Sequence, residues 1–128
     1  HFDMPVRTVV ANNNVKDDEG RVAVERGPIV YCAEAADNQN EPVLRAVIGK
    51  QPAFDVVDNY KIDNTETKGA PAFAVKAITT QAQMLEDGAN GVSVKNQKLT
   101  LIPYYAWNHR GADQMNVWFV QSLKMLDK

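Results

Sequence analysis

Apolar and polar residues alternate along much of this chain with a period of two, which puts every second side chain on the same face of an extended strand. Phe2, Met4, Val6 and Thr8 alternate with Asp3, Pro5, Arg7 and Val9. A first strand is predicted there, at a sheet edge, because Pro5 lacks an N–H for pairing. Residues 21–26 alternate around Val22 and Val24, Gly27-Pro28 interrupts, and 29–33 resumes the apolar run. That pattern predicts two short strands, or one strand with a bulge at the break. Residues 43–48, ended by Gly49, and residues 53–60 are further strand candidates. In 72–78, Phe73, Val75 and Ala77 share a face and Lys76 helps define the other. Residues 81–86 can form one helical turn that Asp87-Gly88 would stop, and Asn90-Gly91 is a strong turn dipeptide. A short strand at 92–94 is then expected, with a turn at Asn96-Gln97.

The longest nearly unbroken apolar stretch is Leu99-Thr100-Leu101-Ile102-Pro103-Tyr104-Tyr105-Ala106-Trp107, followed by Asn108-His109-Arg110-Gly111. In an extended chain Leu99, Leu101, Tyr105 and Trp107 face one way, and Ile102, Tyr104 and Ala106 the other. Both faces are apolar, so the strand is expected to be covered on both sides. Pro103 argues against a helix and for an edge or bulge. Met115, Val117 and Phe119 share a face of a returning strand, so 99–120 is predicted to form a large hairpin. Roughly seven to nine short strands separated by turn signals predict an all-β fold, a two-layer antiparallel β-sandwich of jelly-roll-like type. Val24, Tyr31, Val75, Leu101, Val117 and Phe119 are the expected core.

Composition narrows the function classes. The chain has 128 residues, enough to bury a core without disulfides or metal, and one domain spanning 1–128 is expected. A net charge of −2 with no basic block makes nucleic acid a poor partner. No apolar run approaches the length of a membrane-spanning helix, so no membrane partner is read. The segment His1-Phe2-Asp3-Met4-Pro5 has no charged-then-apolar pattern and no initiator Met, so no signal peptide is read. The chain is expected to be a piece of a larger protein, whose location, periplasm or secretion included, stays open.

Cys32 is the single cysteine and lies in an apolar strand run without a histidine nearby. It is expected to be a small buried hydrophobe rather than a catalytic thiolate. The two acidic loops, 16–20 and 63–69, lack the spaced ligands of a calcium site. His1 and His109 are the only histidines, and no G-x-S-x-G, H-x-x-x-H or C-x-x-C accompanies them. No metal site, cofactor or catalytic residue is assigned.

Glycosidases need two carboxyl groups flanking the sugar bond. Glu25 and Glu34 are the acids embedded in strand-like runs. Both are expected to point outward or to pair with Arg26 or Arg21. Tyr105, Trp107, His109 and Arg110, with Tyr104 beside them, form the candidate contact cluster. Aromatic rings stack on sugars and Arg bonds hydroxyls, while buried interfaces use the same residue types. The residues alone leave both roles open.

The pattern L-x-x-I-P-Y-Y-A-W-x-x-R-G-x-x-x-M-x-V-W over 99–118 resembles the C-terminal β-sandwich of bacterial glycoside hydrolases related to family 127, the β-L-arabinofuranosidase group. Residues 20–34, Gly-Arg-Val-Ala-Val-Glu-Arg-Gly-Pro-Ile-Val-Tyr-Cys-Ala-Glu, agree, with Asp37-Asn38 following and Met-Pro-Val-Arg opening the chain at 4–7. The resemblance covers essentially the whole chain. It implies a parent glycoside hydrolase whose catalytic machinery lies in a preceding helical barrel, a cysteine in that barrel included; Cys32 matches no such motif. The domain itself is then expected to be non-catalytic, stabilising or covering the barrel, with a homodimer contact as a further role. The alternative is an autonomous carbohydrate-binding module, and an enzyme with its own carboxylate pair is the third reading.

Overall fold

The computed structural model describes residues 4–10, 21–38, 43, 46–62, 73–88, 91–106 and 114–122. Seven antiparallel strands join in one hydrogen-bonded network: β1 (Val6–Val10), β2 (Val22–Arg26), β3 (Ile29–Glu34), β4 (Asp55–Ile62), β5 (Phe73–Gly88), β6 (Gly91–Pro103) and β7 (Met115–Asn116). Their order is β1-β2-β3-β6-β5-β4, with β7 on β3. Strands β4, β5 and β6 form a meander that brings β6 back beside β3. That is a Greek key, the unit from which jelly rolls are built.

Two layers arise because the long β5–β6 ribbon runs through both. Its lower half pairs with β4 and β3; Tyr31 lies opposite Pro103, and Ala33 opposite Leu101. Its upper half meets the segment around Val47, whose N–H and C=O bond Gln83 at 2.9 and 2.8 Å. Val47 also bridges Val120, and Phe119 exchanges two bonds with Val22 at 2.7 and 2.9 Å. Strands β2 and β3 pair near their turn and then diverge; β7 takes over the freed edge of β3, and Phe119 that of β2. The ladder therefore closes around a core of Val22, Val24, Tyr31, Ile78, Met84, Leu99, Leu101 and Phe119. A second cluster, Cys32, Ile62, Val75, Ile102 and Ala106, lies on the opposite side of β3 and β6. The period of two explains the division: Tyr31 and Ala33 face the inner core, and Cys32 between them faces out to the second cluster.

Most of the sequence expectations hold. The chain is all-β, β1 is an edge strand, and Gly27-Pro28 separates two strands as a tight turn with Gly27 at φ 61°. Glycine at the first turn position with φ positive suits the twist of a two-residue hairpin. Cys32, Val24, Tyr31, Val75, Leu101 and Phe119 are buried, while Val117 is half-buried.

Other expectations fail, mostly for tertiary reasons. The helical turn at 81–86 and the turn at Asn96-Gln97 are both continuous strand, paired Gln83 to Asn96 and Ala82 to Gln97. Cross-strand pairing outweighs the weak local preference for turns there. In place of the strand expected over 43–48, the described residues there show isolated bridges from Val47 to Gln83 and Val120, with Val43, Ala46 and Ile48 buried. The 99–120 hairpin does not form, because β6 and β7 both pair with β3, on its opposite edges. The strand also stops at Pro103; Tyr104–Ala106 is a 3-10 turn, so Tyr104 and Tyr105 are exposed while Ala106 is buried. Strand β4 was expected; its Val56 and Val57 face solvent, and a bulge with Asn59 at φ 59° follows.

Candidate functional site

The apolar face that the fold leaves open lies where β2 turns into β3. The Gly27-Pro28 turn projects Pro28, Ile29 and Val30 to one wall of a groove of about 510 Å³. The 3-10 turn after β6 supplies Tyr104 and Tyr105, and the segment after β7 supplies Val117 and Trp118. Tyr105 keeps 66% and Tyr104 47% of its surface exposed, the largest exposed aromatic area among the described residues. Pro103 causes this: it ends the strand, and the tighter turn swings both tyrosines outward instead of onto opposite strand faces.

Side-chain amides fix the opposite wall. Asn116 donates to the Val43 carbonyl at 3.2 Å and accepts from the Trp118 N–H at 3.1 Å. Gln114 accepts from the Val43 N–H at 2.8 Å, and its carbonyl accepts from the Ala35 N–H at 2.9 Å. The Trp118 backbone is thus tied through Asn116 to the buried Val43. A second amide clasp secures the adjacent corner. Asn38, buried after the Ala35–Asp37 turn, bonds the Thr100 backbone through both ends of its amide, at 2.7 and 3.0 Å, and donates to the Glu34 carbonyl at 2.9 Å. It stands in for a strand neighbour beside Thr100. Asp37 accepts from the Tyr60 hydroxyl at 2.6 Å, tying this corner to β4.

Arg26 and Tyr31 belong to the β2–β3 hairpin that carries one wall of the groove, although neither lines it. Arg26 sits opposite Ile29 in the hairpin and is 8% exposed, and its Nε has no hydrogen-bond partner. The Tyr31 hydroxyl donates to the Lys76 carbonyl at 2.8 Å. Burial pushes its pKa above the ordinary 10.0; Arg26 pulls against that and Tyr105 adds to it, so all three are electrostatic neighbours.

Of the candidate contact residues, Tyr105 is placed on the groove. Trp107, His109 and Arg110 lie outside the described residues, as do the loops 16–20 and 63–69. The two strand carboxylates divide. Glu25 points outward as expected, and its partner is Arg7 at 3.1 Å, not Arg21 or Arg26, because β1 sets Arg7 directly across from it. Glu34 is fully buried rather than outward-facing, since β3 is covered on both sides. Trp118 and Arg26 were not singled out from the sequence. Trp118 alternates with the core positions Val117 and Phe119 and reads as a strand side chain; Arg26 reads as an ordinary strand-end charge. No group of three or more His, Cys, Asp or Glu able to hold a metal occurs among the described residues.

Residues 6–120 match the glycoside hydrolase family 127 C-terminal domain. The chain belongs to that family. A non-reducing end β-L-arabinofuranosidase of Bifidobacterium longum subsp. longum is 33% identical to this family 127 C-terminal domain over 120 residues, which are 91% of the chain but 18% of the relative. A solved GH127 β-arabinofuranosidase superposes with a TM-score of 0.75 at 41% identity, over 97% of this domain and 18% of that chain. The GH127 β-L-arabinofuranosidase of Geobacillus stearothermophilus T6 does so with a TM-score of 0.74 at 28% identity, over 95% and 19%. The family 127 C-terminal domain thus spans about a fifth of the length of the relatives it matches.

Proposed function

We propose that residues 1–128 are a single non-catalytic accessory domain of a larger β-L-arabinofuranosidase-like glycoside hydrolase, and that the domain covers and stabilises a helical-barrel catalytic domain. The observation that carries this reading is the groove. It offers a solvent two exposed tyrosines, a half-buried tryptophan and aliphatic walls, on a rigid frame. A contiguous apolar surface of this kind suits burial against another body of the same assembly. The coverage figures support a large remainder of the polypeptide as that body.

Sugar binding is the second reading, and the exposed tyrosine rings favour it. A sugar site also needs several polar groups converging on the hydroxyls. The groove supplies two phenol hydroxyls and one indole N–H from its side chains, and otherwise aliphatic groups. Protein docking therefore fits it better. The carboxylates do not suggest a separate active site: Glu25 is engaged by Arg7, and Glu34 is shut away from solvent. A homodimer through the same face is a further arrangement that the groove would accept.

The test compares the 128-residue chain with the longer polypeptide. Aryl β-L-arabinofuranosides should be hydrolysed by the longer polypeptide and left intact by the 128-residue chain. Removing the domain should lower the melting temperature of the remainder. Turnover by the 128-residue chain would overturn the accessory reading; arabinoside binding at the groove, read by perturbed Tyr105 and Trp118 signals, would replace it with the binding-module reading. The contact role of Trp107 and Arg110 is tested by the same pair of melts. Their alanine variants should destabilise the longer polypeptide more than the 128-residue chain.

A further inference from the structure

Arg26 is anomalous among the basic residues of the described structure. Arg7 has Glu25 at 3.1 Å, and Lys76 has Asp58 at 3.6 Å. Arg26 is more buried than either, and among the described residues no carboxylate pairs with it. Its Nε is enclosed and makes no hydrogen bond. A buried cation without an acceptor is costly, so such groups are normally paired. Its position is also specific. The β2–β3 register sets it across from Ile29, which lines the groove, and Tyr31 feels both Arg26 and Tyr105. Among the described residues, a cation with no carboxylate partner thus sits directly across the hairpin from a residue of the uncovered apolar groove.

We propose that Arg26 is the charged anchor of the groove, and that the occupant is a segment of the preceding catalytic domain whose apolar side chains cover Tyr105 and Trp118 and whose Asp or Glu carboxylate pairs with the Arg26 guanidinium. This rests on the interdomain reading above and adds the chemistry of the partner. The guanidinium fork suits a planar carboxylate accepting two parallel N–H bonds. The Tyr105 and Trp118 rings would exclude water around that pair, as apolar residues do around interface anchors. The size of the relatives supports a covalently attached occupant: more than four-fifths of their length lies outside the region this chain matches. An acidic sugar would satisfy the cation too, but the aliphatic walls at Pro28, Ile29 and Val30 favour a protein segment.

The two halves of the proposal give Arg26→Met opposite effects in two settings. In the 128-residue chain the partner is missing, and replacing an unpaired buried charge with an apolar side chain should raise the melting temperature. In the longer polypeptide the same change should undock the domain. Hydrogen exchange at the backbone of residues 29–31 and 104–106 should then speed up by about tenfold or more. Arg26→Lys should fall between the two, and Arg26→Glu should be rescued by a single acid-to-lysine change in the docked segment. A lower melting temperature for Arg26→Met in both settings would make Arg26 a structural residue and overturn the anchor. Tyr105→Ala separates this from the reading beneath it. If Tyr105→Ala accelerates exchange in the longer polypeptide and Arg26→Met does not, the anchor fails and the interface stands. If neither does, both fail. Failure of every acid-to-lysine change to rescue Arg26→Glu would overturn the carboxylate partner.

Discussion

The inner core and the groove are built from similar residues and end in opposite states. Around Phe119 the ladder closes on itself: Val22 and Phe119 exchange backbone bonds, and the Tyr31 hydroxyl meets the Lys76 carbonyl. At the groove, Tyr105, Tyr104 and Trp118 present apolar surface to solvent, and Arg26, across the hairpin from Ile29, lacks an acceptor at Nε. The same chain that completes one interior leaves the other face unfinished. The segment after β7 is nonetheless fixed to Val43 by Asn116 and Gln114, so the uncovered face has a firm frame. The core holds the sandwich together, and the groove is the face on which the proposed docking rests.

The largest effect should come from breaking the closed side. Phe119→Ala removes a fully buried ring at the junction of the layers and should cost about 3–5 kcal/mol in urea unfolding of the 128-residue chain. A loss near that of an exposed residue would mean the layers do not meet around it. On the open side the asymmetry should appear: Trp118→Ala or Tyr105→Ala should cost the longer polypeptide ~2 kcal/mol more than the 128-residue chain. Equal losses in both would assign these rings to the sandwich's own packing.

Cys32 tests the second cluster, between the two regions. Cys32→Ser puts a hydroxyl among Ile62, Val75 and Ile102 and should cost about 1–2 kcal/mol without changing the turnover of the longer polypeptide. Lost turnover in a normally folded variant would contradict its structural role. The smallest effect concerns alkaline pH. Burial raises the Tyr31 pKa, so above the ordinary value near 10.0 the unfolded chain ionises while the folded chain keeps its proton. Stability should therefore be flat below that pH and fall as pH rises through the folded value. Tyr31→Phe should remove this dependence and cost ~1 kcal/mol at neutral pH, since the Lys76 carbonyl loses its donor. An unchanged alkaline slope in that variant would assign the pH dependence to other groups.

Alternation by itself determined that this chain is all-β, that Val24, Tyr31, Leu101 and Phe119 lie inside, and that Cys32 is core. Each follows from which side of a strand a residue occupies, and a period of two is a local property. The motifs at 20–34 and 99–118 determined the family, because they sit in the very segments that form the β2–β3 hairpin and the groove. What the sequence left undecided depends on pairing between distant segments. Residues 81–86 and 96–97 look locally like turns, yet each is held extended by its partner in β5 or β6. The 99–120 segment looks like a hairpin, yet β3 takes both of its arms, since a strand has two edges and sequence spacing does not say which edge a neighbour will use. For the same reason the sequence offered Tyr105 as a candidate contact without deciding its exposure, and gave no sign of the burial of Arg26 or of the place of Trp118 on the groove. Whether an aromatic or a cation is covered depends on what packs over it, and only the tertiary structure decides that.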